Sequence, residues 1–212
     1  LPAACMANLC LGSPSKLLMR IASFKADNFS TLERKVRQID WELFLPGNTE
    51  LNLQVTAHKS RLYHSGAIEE RCHAIIQPRL FAPGNKSEQS LLIRADQDQF
   101  ELSLDMSGDL LFKRGVKQKV ITAPLRENLA FAILKTAGFT REDVLVDPMC
   151  GSGTFSIEAA MIKANIPPGF FRSFAFEHWP GFRRENFAYL KAQAQQAFSL
   201  GGASEIFASD TD

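Results

Sequence analysis

Val144-Leu145-Val146-Asp147-Pro148-Met149-Cys150-Gly151-Ser152-Gly153-Thr154 is the stretch whose reading decides the fold. A short, wholly apolar run, Val144 to Val146, leads straight into an acid. The spacing predicts a strand there, of the kind buried on both faces in a parallel sheet. A Gly-x-Gly turn follows from Asp147 to Gly153, and Thr154 to Ala164 reads as a helix. Strand, glycine turn and helix make a βα unit, so this half of the chain is α/β.

The turn also carries chemistry. Glycine lets a ligand approach the backbone with no Cβ in the way, and the helix behind it presents N–H groups that suit an anion. A dinucleotide fingerprint requires a third glycine where Ser156 stands, and no Gly-Lys-Ser/Thr follows for a phosphate-binding Walker loop. What remains is a loop with its own carboxylate beside the glycines. That suits a ligand bearing ammonium and carboxylate together, such as the methionine moiety of S-adenosylmethionine. Asp147, Pro148, Cys150, Gly151, Ser152, Gly153 and Thr154 are therefore the candidate cofactor residues. A second short strand, Glu205 to Ser209, runs into Asp210-Thr211-Asp212, and an acid at that strand end is placed to accept from a ribose diol. Taken alone, Asp210 and Asp212 fit a polar loop or a helix cap as well. A bare βαβ unit spans about 30 residues, so the aromatic-rich segment Phe170 to Phe182 has to be an insertion. Its aromatics read as core rather than as a base-stacking surface. Cys150 reads as a small residue in a tight loop, not as a nucleophile.

Upstream, Thr122 and Pro124 open a helix in which Leu125, Leu129, Ile133 and Ala137 recur at helical spacing, ended by Gly138. The first half alternates short elements. Leu17 to Phe24 is a strand, and Ser30 with Glu33 forms a capping box for a helix to about Ile39. Leu51, Leu53 and Val55 alternate as a half-buried strand, Gly66 to Gln77 is a helix, and Ala82 to Gln89 a polar loop. Leu91 to Ala95 and Phe100 to Leu104 form a hairpin. This is a small α+β module, expected over 1–108, with the α/β domain over 109–212.

Of the 212 residues 45% are hydrophobic and 22% charged, an ordinary globular composition. The longest apolar run, Leu129 to Leu134, is six residues, against roughly 20 for a membrane span. Residues 1–122 hold 16 basic and 13 acidic side chains, and 123–212 hold 8 and 10. No acid occurs from Leu110 to Arg126, where Lys113, Arg114, Lys117, Lys119 and Arg126 form a positive patch that suits a polyanion partner, the first four being candidate contacts if that polyanion is RNA. A solvated linker explains the same charges. The four cysteines show neither a CxxC pair nor the spacing of a disulfide scaffold, so a reducing, cytoplasmic setting and no metal are expected. The first residue is Leu and no secretory signal pattern is present, as expected of an excised piece.

Several motifs in order resemble the bacterial THUMP-containing 23S rRNA guanine-N2 methyltransferases. They are Arg114-Gly115, Ala123-Pro124-Leu125-Arg126-Glu127-Asn128-Leu129-Ala130, Asp147 through Phe155, and Ile157-Glu158-Ala159-Ala160. Upstream, Ile39-Asp40-Trp41 and Leu104-Asp105-Met106-Ser107-Gly108 look like the later part of a THUMP domain. The resemblance implies a partial THUMP-like RNA-binding module followed by the first part of a Rossmann-like class I methyltransferase domain. It also implies a cofactor lined by Asp147, Gly151 and Gly153, with Asp210 on the ribose and Pro124 and Leu125 beside the methionine end. Ribosomal RNA is the implied partner. In this family an Asn/Asp-Pro-Pro-Tyr/Phe motif holds the target amine. The chain contains none, and Pro167-Pro168 sits in the wrong element, so no catalytic residue is named. Alternative readings are a tRNA guanine-N2 or an adenine-N6 DNA methylase, the latter expected to lack the first half, or a non-catalytic RNA-binding fragment.

Overall fold

The computed structural model describes residues 2–80, 87–116, 125–199 and 205–211. They fall into two compact units: Leu18–Gly108 with Phe174–Phe182, and Leu1–Leu17 with Asp109–Ser173 and Arg183–Asp212. A single cut after residue 108 does not describe this division. The first helix, α1 (Pro2–Cys10), escaped the sequence reading. It buries Cys5 and Leu9, and the loop behind it supplies the Gly12 and Ser13 carbonyls to Arg114 and Asn128, which holds the N-terminal segment in the α/β unit. Residues 174–182 belong instead with the first sheet. Trp179 Nε1 donates to Gln89 Oε1 at 2.8 Å, the Phe176 N–H donates to the Met106 carbonyl, and Phe174 stacks on Phe176 with centroids 5.2 Å apart. The aromatic segment is core, as the sequence suggested, but core of the other unit.

In the first unit β1 (Leu18–Lys25), α2 (Phe29–Arg37), β2 (Thr49–His58), α3 (Ser65–Ile76), β3 (Ser87–Asp96) and β4 (Gln99–Asp105) form a sheet of order β1-β4-β3-β2 under two helices. β2 and β3 are parallel, with α3 as the crossover such a pair requires; the other pairings are antiparallel. The β3–β4 hairpin closes through Gln97 and Asp98, both left-handed (φ 52° and 65°), the turn that matches strand twist. Alternation sends Leu91, Ile93 and Ala95 of β3 and Phe100, Leu102 and Leu104 of β4 into the core. The cap of α2 is Asn28, whose Oδ1 accepts from the Thr31 N–H at 2.9 Å, not the expected Ser30–Glu33 box. Glu33 is taken by Arg71 at 2.6 Å.

The second unit adds α4 (Glu127–Thr136), β5 (Leu145–Asp147), α5 (Thr154–Lys163), α6 (Arg184–Gln196) and β6 (Ile206–Ala208), with β5 and β6 parallel. Two expectations fail. Val144 and Val146 are 56% and 66% exposed, because among the described residues this sheet has two strands and one face carries no covering layer. The buried face of α4 is Asn128, Ala130 and Leu134, whereas Leu129 and Ile133 lie about half exposed. The polar Asn128 takes the inward position because Ser13 and Ser15 supply acceptors for its amide. No described helix is long and apolar enough to cross a membrane.

Candidate functional site

The site lies where β5 and β6 end together and α5 begins. Beyond the last strand pair the two chains stay laced: the Ser209 N–H donates to the Asp147 carbonyl, and the Cys150 N–H to the Ser209 carbonyl, both at 3.0 Å. The Gly151 N–H donates to Asp210 Oδ2 at 2.6 Å. Gly151 and Gly153 have φ of 53° and 72°, values that L side chains rarely adopt. Gly153 is also the N-cap of α5, and a Cβ built on it meets no atom within 4 Å. The turn thus presents bare backbone to open space at the positive end of a helix. Thr154 Oγ1 donates to the Leu125 carbonyl at 3.3 Å, which brings Leu125 to the same corner. Asp147 is half-buried, and Pro148 stands exposed in the turn. Asp210 also accepts from the Thr211 N–H at 2.7 Å, and the two backbone donors, Gly151 first, hold its carboxyl below the usual carboxylate range.

Eight of the expected cofactor residues, Leu125, Asp147, Cys150, Gly151, Ser152, Gly153, Thr154 and Asp210, therefore meet around one helix terminus, with Pro148 at its rim. Pro124 and Asp212 lie outside the described residues. A carboxylate, a helix N-terminus, a second carboxylate across the strand ends and open space at Gly153 fit the ammonium, carboxylate and ribose of S-adenosylmethionine. Among the described residues no group of His, Cys, Asp or Glu is placed to hold a metal.

A buried ion pair and a buried lysine that reaches an exposed carboxylate brace this corner, and the sequence reading missed both. Arg114 is 3% exposed; its Nε donates to Glu158 Oε1 at 3.1 Å and its other nitrogens reach Glu158 Oε2 and the Leu111 and Gly12 carbonyls. Burial nevertheless pushes the Glu158 carboxyl up, outweighing the pull of Arg114. Lys163, buried at the end of α5, donates to the Arg141 and Asp143 carbonyls and to Glu205 Oε2, tying the starts of β5 and β6 to the helix. A lone charge among apolar residues, Glu158 between Ile157 and Ala159, was the available signal. Arg114 is therefore removed from the RNA patch: its guanidinium is consumed inside the unit. Lys113 is exposed but pairs with Asp109 at 3.0 Å, an acid just outside the acid-free run. Lys117 and Lys119 lie outside the described residues.

Residues 114–212 match the family model described as the RMKL-like methyltransferase domain. The α/β unit has the class I methyltransferase fold. Ribosomal RNA large subunit methyltransferase K/L of Syntrophotalea carbinolica is 36% identical over 208 residues, 91% of this chain and 29% of that protein. A crystal structure described as a "predicted N6-adenine-specific DNA methylase" from Listeria monocytogenes superposes with a TM-score of 0.87 at 28% identity, over 100% of this chain and 58% of that one. Another, "SMU.472, a putative methyltransferase complexed with SAH", gives 0.83 at 32% identity, over 95% and 55%. The chain thus spans a little over half of the two solved chains and under a third of the ribosomal RNA relative. The first half does not separate RNA from DNA methylases by name, since the Listeria protein so described matches it in full.

Proposed function

We propose that this chain is the cofactor-binding part of an S-adenosylmethionine-dependent RNA methyltransferase acting on guanine N2 of large-subunit ribosomal RNA. The observation that carries the reading is the left-handed glycine turn opening α5, flanked by Asp147 and Asp210, inside the segment that matches the methyltransferase-domain model. The SAH-bound neighbour at 32% identity supports the cofactor, and the ribosomal RNA relative supports the substrate.

When bound, S-adenosylmethionine supplies a sulfonium-activated methyl group. In this reading Asp147 pairs with the ammonium, the first N–H groups of α5 take the carboxylate, and Asp210 accepts from the ribose hydroxyls. Leu125 walls the methionine end, beside Thr154. The work is positioning, because in-line displacement at an activated methyl needs mainly alignment. The guanine amine is a poor nucleophile, its lone pair delocalised into the ring, so a flipped base has to be held by acceptors and stacking, the role of the Asn/Asp-Pro-Pro-Tyr/Phe motif that this sequence lacks. The first unit is read as a THUMP-like RNA-binding module, with Lys113, Lys117 and Lys119 adding charge, in a cytoplasmic protein. Adenine-N6 methylation is the second reading, favoured by the description of the Listeria neighbour.

Tritium transfer from labelled cofactor by the full-length protein to 23S rRNA, tRNA and DNA, followed by nucleoside chromatography, separates these. N2-methylguanosine from rRNA is expected. Label in N6-methyladenine, or in tRNA alone, would refute the assignment.

A further inference from the structure

We propose that Asp210 is a positioning residue for the glycine turn, acting through the Gly151 N–H, in addition to the ribose contact that the proposed function gives it. The cofactor arm of this inference rests on that reading; the backbone arm does not.

Glycine has the greatest conformational freedom of any residue, and this turn needs two of them in left-handed conformation, at φ 53° and 72°. Two residues without a Cβ restrain the turn less than others would, so hydrogen bonds from neighbouring groups matter more to its shape. The bonds at hand are few. The Ser209 N–H to the Asp147 carbonyl and the Cys150 N–H to the Ser209 carbonyl are backbone bonds that survive any side-chain change at 209. The Gly153 N–H donates back to the Cys150 carbonyl at 2.8 Å, within the turn itself. Gly151, at the apex, is held by a side chain: its N–H donates to Asp210 Oδ2 at 2.6 Å, across 59 residues of sequence. The carboxylate is itself oriented, because its Oδ1 accepts from the Thr211 N–H at 2.7 Å. Thr211 Oγ1 also donates to Oδ1, at 3.4 Å, and since a carboxylate offers about four lone-pair sites these three bonds still leave room for a ribose hydroxyl. The Gly151 N–H is then already engaged before any ligand arrives, and the anionic end of a ligand is left to the N–H groups farther along α5. One side chain thus shapes the turn and reads the ribose, which makes the two strand ends act as one site.

The test uses the 212-residue chain with Asp210→Ala and Asp210→Asn, both at an exposed position. Amide hydrogen exchange at Gly151, followed by NMR without ligand, is expected to quicken roughly tenfold in the Ala variant, as loss of about one charged hydrogen bond implies, and much less in Asn, whose Oδ1 still accepts. Unchanged exchange in Asp210→Ala would overturn the proposal. Calorimetric titration with S-adenosylhomocysteine and with its 2′,3′-dideoxy analogue gives the second arm. A positioning role weakens both ligands in Asp210→Ala, whereas loss confined to the diol-bearing ligand means a ribose contact alone and overturns it. Failure of the wild-type chain to bind either ligand would sink the cofactor reading and leave the exchange result to decide the positioning role.

Discussion

Arg114→Met is the perturbation that most directly interrogates how the site is braced. The substitution keeps an apolar stem of similar length and removes the guanidinium from a pair whose side chains are 2% and 1% exposed. Glu158 is then buried without a partner and escapes by taking a proton. At pH 7 that costs about 1.4 kcal/mol for each of the roughly 2.7 units separating pH from an ordinary glutamate pKa, close to 3.7 kcal/mol. The Leu111 and Gly12 carbonyls also lose their donor, at about 1 kcal/mol or less each. The expected loss of stability is therefore about 4 to 5 kcal/mol, within the range for breaking a buried pair from one side. The pH dependence supplies the sign. A folded-state pKa raised above the unfolded value contributes stability present at low pH and lost as pH rises, so the deficit against wild type narrows on going from pH 7 to 5, by up to about 1.4 kcal/mol per unit. Urea denaturation of both chains at the two pH values measures it, and Arg114→Met/Glu158→Leu, which buries no charge, should recover most of the loss. A deficit under about 1 kcal/mol, or one that does not change with pH, would refute the reasoning.

Gly115→Ala should cost about 2 to 3 kcal/mol in a thermal melt, because φ is 82° there and the new Cβ would stand 2.6 Å from the Phe171 carbonyl oxygen; an unshifted melt would contradict the geometry. Gly153→Val, whose side chain enters open space, should leave the fold in place, with a left-handed strain of about 1 to 2 kcal/mol, yet abolish calorimetric binding of S-adenosylhomocysteine; undiminished affinity removes the turn from the site. The Cys72 thiol, pushed up to about 12 mainly by burial, should resist alkylation at pH 8 in the native chain while exposed Cys10 is labelled, which peptide mass spectrometry distinguishes. Reversing Lys113, Lys117 and Lys119 to Glu in the full-length protein should weaken RNA binding and flatten its salt dependence, by about 0.7 to 0.9 log–log units for each phosphate no longer neutralised, with cofactor affinity unchanged; an unaltered slope returns the stretch to a solvated linker.

What the sequence determined by itself was local. The acid-ended strand, the Gly-x-Gly turn and the helix from Thr154 are encoded in consecutive residues, since glycine's left-handed freedom and a three-residue apolar run act within a few bonds of themselves. The β3–β4 hairpin was legible for the same reason, its alternation and its tight turn being short-range. Tertiary structure decided everything that depends on a partner distant in the chain. Arg114 read as a surface charge until Glu158, Leu111 and Gly12 converged on it, because no spacing rule announces a bond across 44 or 102 residues. The inward face of α4 followed Asn128 rather than Leu129 and Ile133, because the acceptors for its amide come from Ser13 and Ser15 in the N-terminal segment. Phe174, Phe176 and Trp179 carried enough hydrophobic area to require burial anywhere, and the sheet that accepted them was chosen by hydrogen bonds to Gln89 and Met106, residues that only folding brings near. Asp210 sits between the two cases: sequence placed an acid at the end of the second strand, and only the pairing of β5 with β6 set its carboxylate against Gly151.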